Sequence, residues 1–302
     1  MVALEAGIPI QVLLPLVIAA MMLGVGMSLR ITDFTALLTT PLSAVIGLLS
    51  MFLIFPGLSF LIAGSYPLSM ELQIGLVLLA ASPSASTSTL FTYLARGDAA
   101  LSLTLTAISK LLPVITIPLY IGLAARLFAS TDTTLDLRLE MISERLVQMV
   151  LLPTLAGMAL QHFRPRFADR IRPAVIRIAV IALILLIAAL VFRERHKLPD
   201  MLLQAGPAAL TLCLAGMACA YLLARVTRLQ PRQNTAIVIE TGMQSGGTAI
   251  AIAAGILAVP AMAVPAAVYS LIMYLVTAMF VHLKLGGKFH LVHTRPEGPL
   301  DT

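Results

Sequence analysis

The chain has 302 residues, 59% of them hydrophobic and 11% charged, with a mean hydropathy of +0.99 and a formal net charge of +6. A soluble domain carries about 25% charged residues, so an ordinary soluble fold is excluded, and two cysteines rule out a disulfide framework. The basic excess points to short cytoplasmic loops, which collect Lys and Arg, and not to nucleic acid.

Apolar runs of roughly 18 residues or more can cross a bilayer. In chain order they fall at 10–29, 40–63, 73–96, 99–127, 141–162, 172–192, 203–225, 233–257 and 261–284. They predict an all-α membrane protein of nine transmembrane helices, one transporter domain over 1–302, with a disordered tail at 289–302. The runs are too long and continuous for barrel strands. The first reads as a retained span, being too long and too weakly basic at its start for a cleaved signal peptide.

Cys213 and Cys219 share the seventh span but not a helix face, and read as small core residues. The His residues show no metal spacing, the scattered Met residues suit adaptable packing, and no P-loop provides for ATP. Gln148 in the fifth span either lines a cavity or is a hydrogen-bonded core amide. Of the prolines inside spans, Pro83 is expected to make a break, and Pro113, Pro118 and Pro153 to kink helices.

Lys and Arg set the orientation. With the N-terminus outside, the inner side holds Arg30, Arg96, Arg164, Arg166, Arg170, Arg172, Arg225, Arg228, Arg232, Lys284, Lys288 and Arg295. The outer side holds the smaller set Arg126, Arg138, Arg145, Arg193, Arg195 and Lys197. A multi-pass protein of a bacterial inner membrane, N-terminus out and C-terminus in, follows.

The third and eighth spans are interrupted by small polar residues, Ala81 to Thr89 and Thr241 to Thr248. Spans one to four and six to nine are offset by a nearly constant interval, with span five unpaired between them. An inverted-topology repeat is predicted, its two broken helices crossing at a midplane site. Unwound backbone at that depth is tolerated only around a cavity. A single Ser/Thr/Gly run reads as a helix-packing surface, whereas a matched pair reads as a site.

Ser84, Ser86, Thr87, Ser245, Gly246, Gly247 and Thr248 are the expected substrate contacts. Half-helix N-termini at the breaks, each equivalent to about half a positive charge, favour a carboxylate there.

Only Lys110 and Glu240 are placed deep within spans. A charge at mid-bilayer costs at least ~2.5–3.5 kcal/mol on the insertion scale, so it marks function or a partner. Ser102, Thr106 and Lys110 form one helical stripe, predicted to face Glu240 with the Lys110 ammonium close to it. The pair is either a coupling device or a static ion pair that sets helix register.

Two segments carry a family likeness. Thr92-Tyr93-Leu94-Ala95-Arg96-Gly97-Asp98-Ala99-Ala100-Leu101-Ser102 and Glu240-Thr241-Gly242-Met243-Gln244-Ser245-Gly246 resemble the bile acid:sodium symporter family. The likeness extends in hydropathy over nearly the whole chain, including Gly24 to Leu29 and Ile54 to Pro56, and suits a nine-span bacterial member. It implies a panel domain, a core domain and a cation-coupled carrier.

The resemblance places a first sodium site on Ser88, Thr89, Ser102, Thr106 and Glu240, and a second on Met51, Glu240, Thr241, Met243 and Gln244. Three positions depart from the family pattern: Thr89 replaces Asn, Met51 replaces Gln with a thioether unsuited to a hard cation, and Lys110 replaces a small residue. An ammonium beside the first site repels sodium, so sodium dependence is expected to be weak or absent.

The resulting expectation is a secondary transporter of a small organic anion, not an enzyme, with Na+ or H+ as coupling ion and no other cofactor. Proton-coupled carriers of the auxin-efflux type and an ordinary sodium symporter are the near alternatives. An arsenite carrier is disfavoured by the lack of Cys in the third span. A channel or a sensor would lack solute counterflow.

Overall fold

Proline opens several of the helices, at Pro41, Pro113, Pro165 and Pro231. A computed structural model describes residues 10–34, 36–128, 144–194 and 198–285. The helices are α1 (Ile10–Gly26), α2 (Pro41–Ser65), α3 (Met70–Ala81), α4 (Ser88–Leu94), α5 (Ala99–Ser109), α6 (Pro113–Phe128), α7 (Glu144–Phe163), α8 (Pro165–Glu194), α9 (Leu198–Val226), α10 (Pro231–Gly242), α11 (Gly246–Gly255) and α12 (Val264–Lys284). No strand occurs among the described residues. The expected tail at 289–302 and the loop charges Arg138, Arg195, Lys197, Lys288 and Arg295 lie outside the described residues.

By length and apolar content four helices suffice to cross a membrane: Pro41–Ser65, Glu144–Phe163, Pro199–Val226 and Pro260–Lys284. The pair α5–α6 makes a fifth if its bend is counted within one span. Many of their large apolar side chains face outward, Leu53, Leu61, Ile115, Leu271 and Leu275 among them. Such a band suits lipid.

The expected fourth span is not one rod. Its two helices meet at 64°, with Lys110 capping α5. Pro113 is the cause: it has no N–H for the preceding turn and drives Leu112 out of the helical region. Hydropathy alone runs smoothly across the bend.

A π turn at Ser50–Ile54 interrupts α2 just before Pro56. Pro56 leaves the Phe52 carbonyl without its helical donor, and the Tyr120 hydroxyl of α6 donates to it instead. At the next reversals Asp98 caps α5, its carboxylate accepting from Leu101 N–H at 3.0 Å. Gln230 and Gln233 form a capping box at the start of α10, with Pro231 in its first turn.

Helices α1, α7 and α8 pack on one another, while the remaining long helices pack mainly among themselves. Glycine allows the closest of these approaches. A Cβ on Gly157 of α7 would lie 2.3 Å from the Leu23 carbonyl oxygen, and one on Gly26 of α1 would lie 2.1 Å from that of Thr154. Gly157→Val is therefore expected to destabilise the protein by about 1–3 kcal/mol through overpacking. A detergent-solubilised variant that melts like the wild type would contradict this contact.

Candidate functional site

The two breaks satisfy each other. Helix α3 ends at Ala81 and α10 at Gly242, and the segments that follow pair as an isolated antiparallel bridge, Ser84 with Gln244. Ala85 N–H donates to the Met243 carbonyl at 2.9 Å, and Ser245 N–H donates to the Pro83 carbonyl at 2.7 Å. Pro83 brings no N–H that needs a partner. Ser84 N–H donates to Ser109 Oγ at 3.1 Å, and the Tyr269 hydroxyl donates to the Gly242 carbonyl at 2.8 Å. Backbone groups that lipid would leave stranded are thereby paired.

Glu240 sits in the last turn of α10 beside this junction, fully buried. Ser84 Oγ donates to its Oε2 at 2.6 Å and Ser88 Oγ to its Oε1 at 2.6 Å. The Ser102 hydroxyl donates to Oε1, and Thr106 Oγ1 lies 3.0 Å from both carboxylate oxygens. A carboxylate has about four acceptor sites. Four hydroxyls from α4, α5 and the first break fill them.

Lys110 follows Thr106 by one helical turn, its backbone N–H donating to the Thr106 carbonyl at 3.3 Å. It is 9% exposed, and among the described residues its ammonium makes no hydrogen bond and no ion pair, so it does not contact Glu240. Glu240 and then Asp33 remain the principal charges acting on Lys110. The side chain lines a cavity of about 20 Å³ together with Pro83, Ser84, Ser86, Ser245 and Thr248. That volume holds on the order of one water, closed on the other side by Met22, Val25 and Val150 of α1 and α7.

The expected ion set converges in part. Ser88, Ser102, Thr106 and Glu240 share one cluster, and Thr89 joins it through Ser102 Oγ at 3.1 Å. All its polar atoms are oxygen, which suits a hard cation.

The second set does not fit. The Met243 carbonyl already accepts from Ala85 N–H at 2.9 Å, and the Thr241 carbonyl accepts from Gln244 Nε2 at 2.9 Å. Met51 is buried in the π turn and offers only its thioether, while Gln244 Oε1 is buried without a partner. One spare oxygen beside a thioether makes a poor cation site.

The expected substrate set divides. Ser86, Ser245 and Thr248 line the cavity, whereas Ser84 serves both cavity and carboxylate. Thr87 is exposed and hydrogen-bonds the Tyr274 hydroxyl at 3.1 Å. Gly246 abuts Ser270, where an added Cβ would lie 1.8 Å from Oγ, and Gly247 is exposed. Helix α4 has only seven residues, so the first break contributes hydroxyls and the helix-terminal field comes from α11. Gln148 is exposed and donates to Glu144 at 3.0 Å, away from the cavity.

Ser50 and Ser109 were missed from the sequence. Ser50 accepts from Thr241 Oγ1 at 3.1 Å, and Ser109 joins the first break to α5. A lone Ser in an apolar run gives no signal of its own.

Comparison with known proteins identifies the family. The model of the Sodium Bile acid symporter family matches residues 15–199. An uncharacterized sodium-dependent transporter of Bacillus subtilis, YocS, is 29% identical over 82% of this chain and 75% of its own length. A probable sodium/metabolite cotransporter of rice chloroplasts, BASS2, is 31% identical over 82% of this chain and 58% of its own. Human sodium/bile acid cotransporter 4 is 28% identical over 74% of this chain and 51% of its own. The chain thus spans about three quarters of the first relative and little more than half of the other two.

The chain belongs to the sodium bile acid symporter family. It is a membrane transporter, not an enzyme. The segment Arg96 to Ser102 that carries the family likeness has a direct physical reading. Arg96 adopts a left-handed φ of 55° at the end of α4. Asp98 caps α5 and donates its N–H to the Arg232 carbonyl at 3.0 Å. Ser102, one turn on, reaches Glu240.

Removing one donor from a fully buried carboxylate costs about 1–3 kcal/mol. Ser88→Ala is expected to lower the melting temperature clearly, while Ser86→Ala, at an exposed position, stays within about 0.5 kcal/mol of wild type. Equal melting of the two variants would sink the structural role given to the hydroxyl cluster.

Proposed function

We propose that this protein is a secondary transporter that moves a small organic anion with one coupling cation by alternating access. The observation that carries this reading is a buried carboxylate under four hydroxyls, placed where two broken helices hydrogen-bond each other. Broken helices at matching places in the two halves are the mark of a transporter site. The family and the printed names of its relatives supply the cation: YocS is described as sodium-dependent, and BASS2 as a sodium/metabolite cotransporter.

In this reading nine spans form an inverted repeat within one domain. The group α1, α7 and α8 is the panel, the remainder is the core, and the core slides past the panel around a fixed site. The distribution of Arg and Lys favours an outside N-terminus in a bacterial inner membrane. The Ser88, Thr89, Ser102, Thr106 and Glu240 cluster would hold the cation; the poor donor set around Met51 and Gln244 argues for one cation, not two. The substrate carboxylate would enter between Ser86 and the Ser245–Thr248 turn, where the cavity, of about 20 Å³ in this conformation, would widen as the core moves. Lys110, one turn beyond Thr106, opposes cation entry by its charge and makes sodium dependence weaker than in the relatives.

Solute counterflow in proteoliposomes is the direct test. Preloaded carboxylate should accelerate uptake of labelled carboxylate, a sodium gradient should drive its accumulation, and purified Lys110→Ser should bind sodium more tightly than wild type. Conductance without counterflow indicates a channel. Accumulation driven by a pH gradient alone indicates a proton-coupled carrier, and an unchanged sodium response in the Lys110 variant removes the role given to that charge.

A further inference from the structure

Lys110 poses a problem that cation coupling leaves open. An ammonium that is 9% exposed and has no hydrogen bond or ion pair among the described residues is costly, because its lost hydration is not repaid by a partner. The charged groups acting on it from neighbouring elements are Glu240 on α10 and Asp33 in the turn before α2, and neither reaches contact distance. Its side chain borders the cavity, whose other polar edges are the hydroxyls of Ser84, Ser86, Ser245 and Thr248. Ser245 and Thr248 hydrogen-bond each other at 2.8 Å at the start of α11, whose positive end faces the same space. A cation, hydroxyl donors and a helix N-terminus around one small cavity make an anion site.

We propose that Lys110 is the counter-ion of the transported carboxylate, and that bound carboxylate, by neutralising Lys110, admits the cation to the Glu240 cluster. The inference rests on the carrier reading above and specifies how its two ligands are linked.

Charge balance supplies the mechanism. With Lys110 and Glu240 both ionised, the buried site is neutral. A cation alone leaves it with one excess positive charge, a carboxylate alone leaves one negative, and both together restore neutrality. Excess charge is strongly disfavoured in a water-poor interior, so the ligands enter as a pair. Thr106 joins the two subsites along α5: its hydroxyl is 3.0 Å from both Glu240 oxygens, and its carbonyl accepts from the backbone N–H of Lys110, one turn on, at 3.3 Å. Ser84 borders both spaces. The linkage is reciprocal by thermodynamic necessity, so each ligand tightens the other equally.

Acetate, a carboxylate with a single methyl group, is the probe. The experiment measures the sodium midpoint for thermal stabilisation of the purified full chain, with HEPES as bulky anion and choline holding ionic strength, with and without choline acetate. In wild type, acetate should lower the sodium midpoint roughly fivefold or more. Lys110→Arg should retain that effect. Lys110→Gln should bind sodium more tightly at the outset, and acetate should no longer shift its midpoint.

An equal acetate effect in wild type and Lys110→Gln would overturn the proposal, since the carboxylate would then bind elsewhere. An unmoved wild-type midpoint beside a tightened Lys110→Gln midpoint would also overturn it, leaving Lys110 as a competing cation only. If sodium stabilises neither wild type nor Lys110→Gln, and Glu240→Gln behaves the same, the cation site itself fails and takes the carrier reading with it.

Discussion

One constraint orders this molecule: a carboxylate with no access to water must find all its hydrogen-bond donors within the protein. Glu240 is fully buried at the end of α10. Its four donors come from three separate pieces of chain, Ser84 in the break, Ser88 on α4, and Ser102 and Thr106 on α5. Supplying them requires α3 to stop before Ser84, α4 to start at Ser88, and α5 to lie against α10. The position of the breaks, the cap at Asp98 and the turn at Arg96 all serve that arrangement.

The same economy governs the backbone. Each break frees groups that hydrocarbon would strand, and each offers its groups to the other through the Ala85–Met243 and Ser245–Pro83 hydrogen bonds. Ser109, Ser50 and Tyr269 tie the junction to α5, α2 and α12. The junction is therefore a hydrogen-bonded knot on one side of a cavity, while Met22, Val25 and Val150 of α1 and α7 line the other; beyond the cavity Arg145 of α7 donates to the Ile256 carbonyl at the end of α11 at 3.3 Å. In the proposed sliding motion the knot would stay intact, and the Arg145–Ile256 hydrogen bond is one that would have to break.

Much of this was legible in the residues, for identifiable reasons. Polar runs inside apolar spans stand out, so the breaks at 81–89 and 241–248 and their pairing were visible, as was Glu240 beside the second. The stripe of Ser102 and Thr106 follows from helical spacing. Lys110 follows Thr106 by one helical turn as that spacing predicts, but its ammonium makes no ion pair with Glu240, and the 64° bend after α5 is hidden by the smooth hydropathy of 99–127. Ser84 was assigned to substrate because a run of hydroxyls does not reveal which faces the carboxylate. Ser50 and Ser109 were silent, since their role depends on partners distant in sequence. Met51 was a visible mismatch, and the hydrogen bonds already held by the Met243 and Thr241 carbonyls give it structural meaning.

In the proposed carrier, coupling rests on one carboxylate, with its hydroxyl shell on one side and the ammonium of Lys110 beyond Ser84 on the other. Direct binding of radioactive sodium to the purified protein tests the centre of that claim. Saturable binding by the wild type that disappears in Glu240→Gln, with the variant still folded by circular dichroism, is the predicted result. Saturable binding of wild-type strength in Glu240→Gln would contradict it.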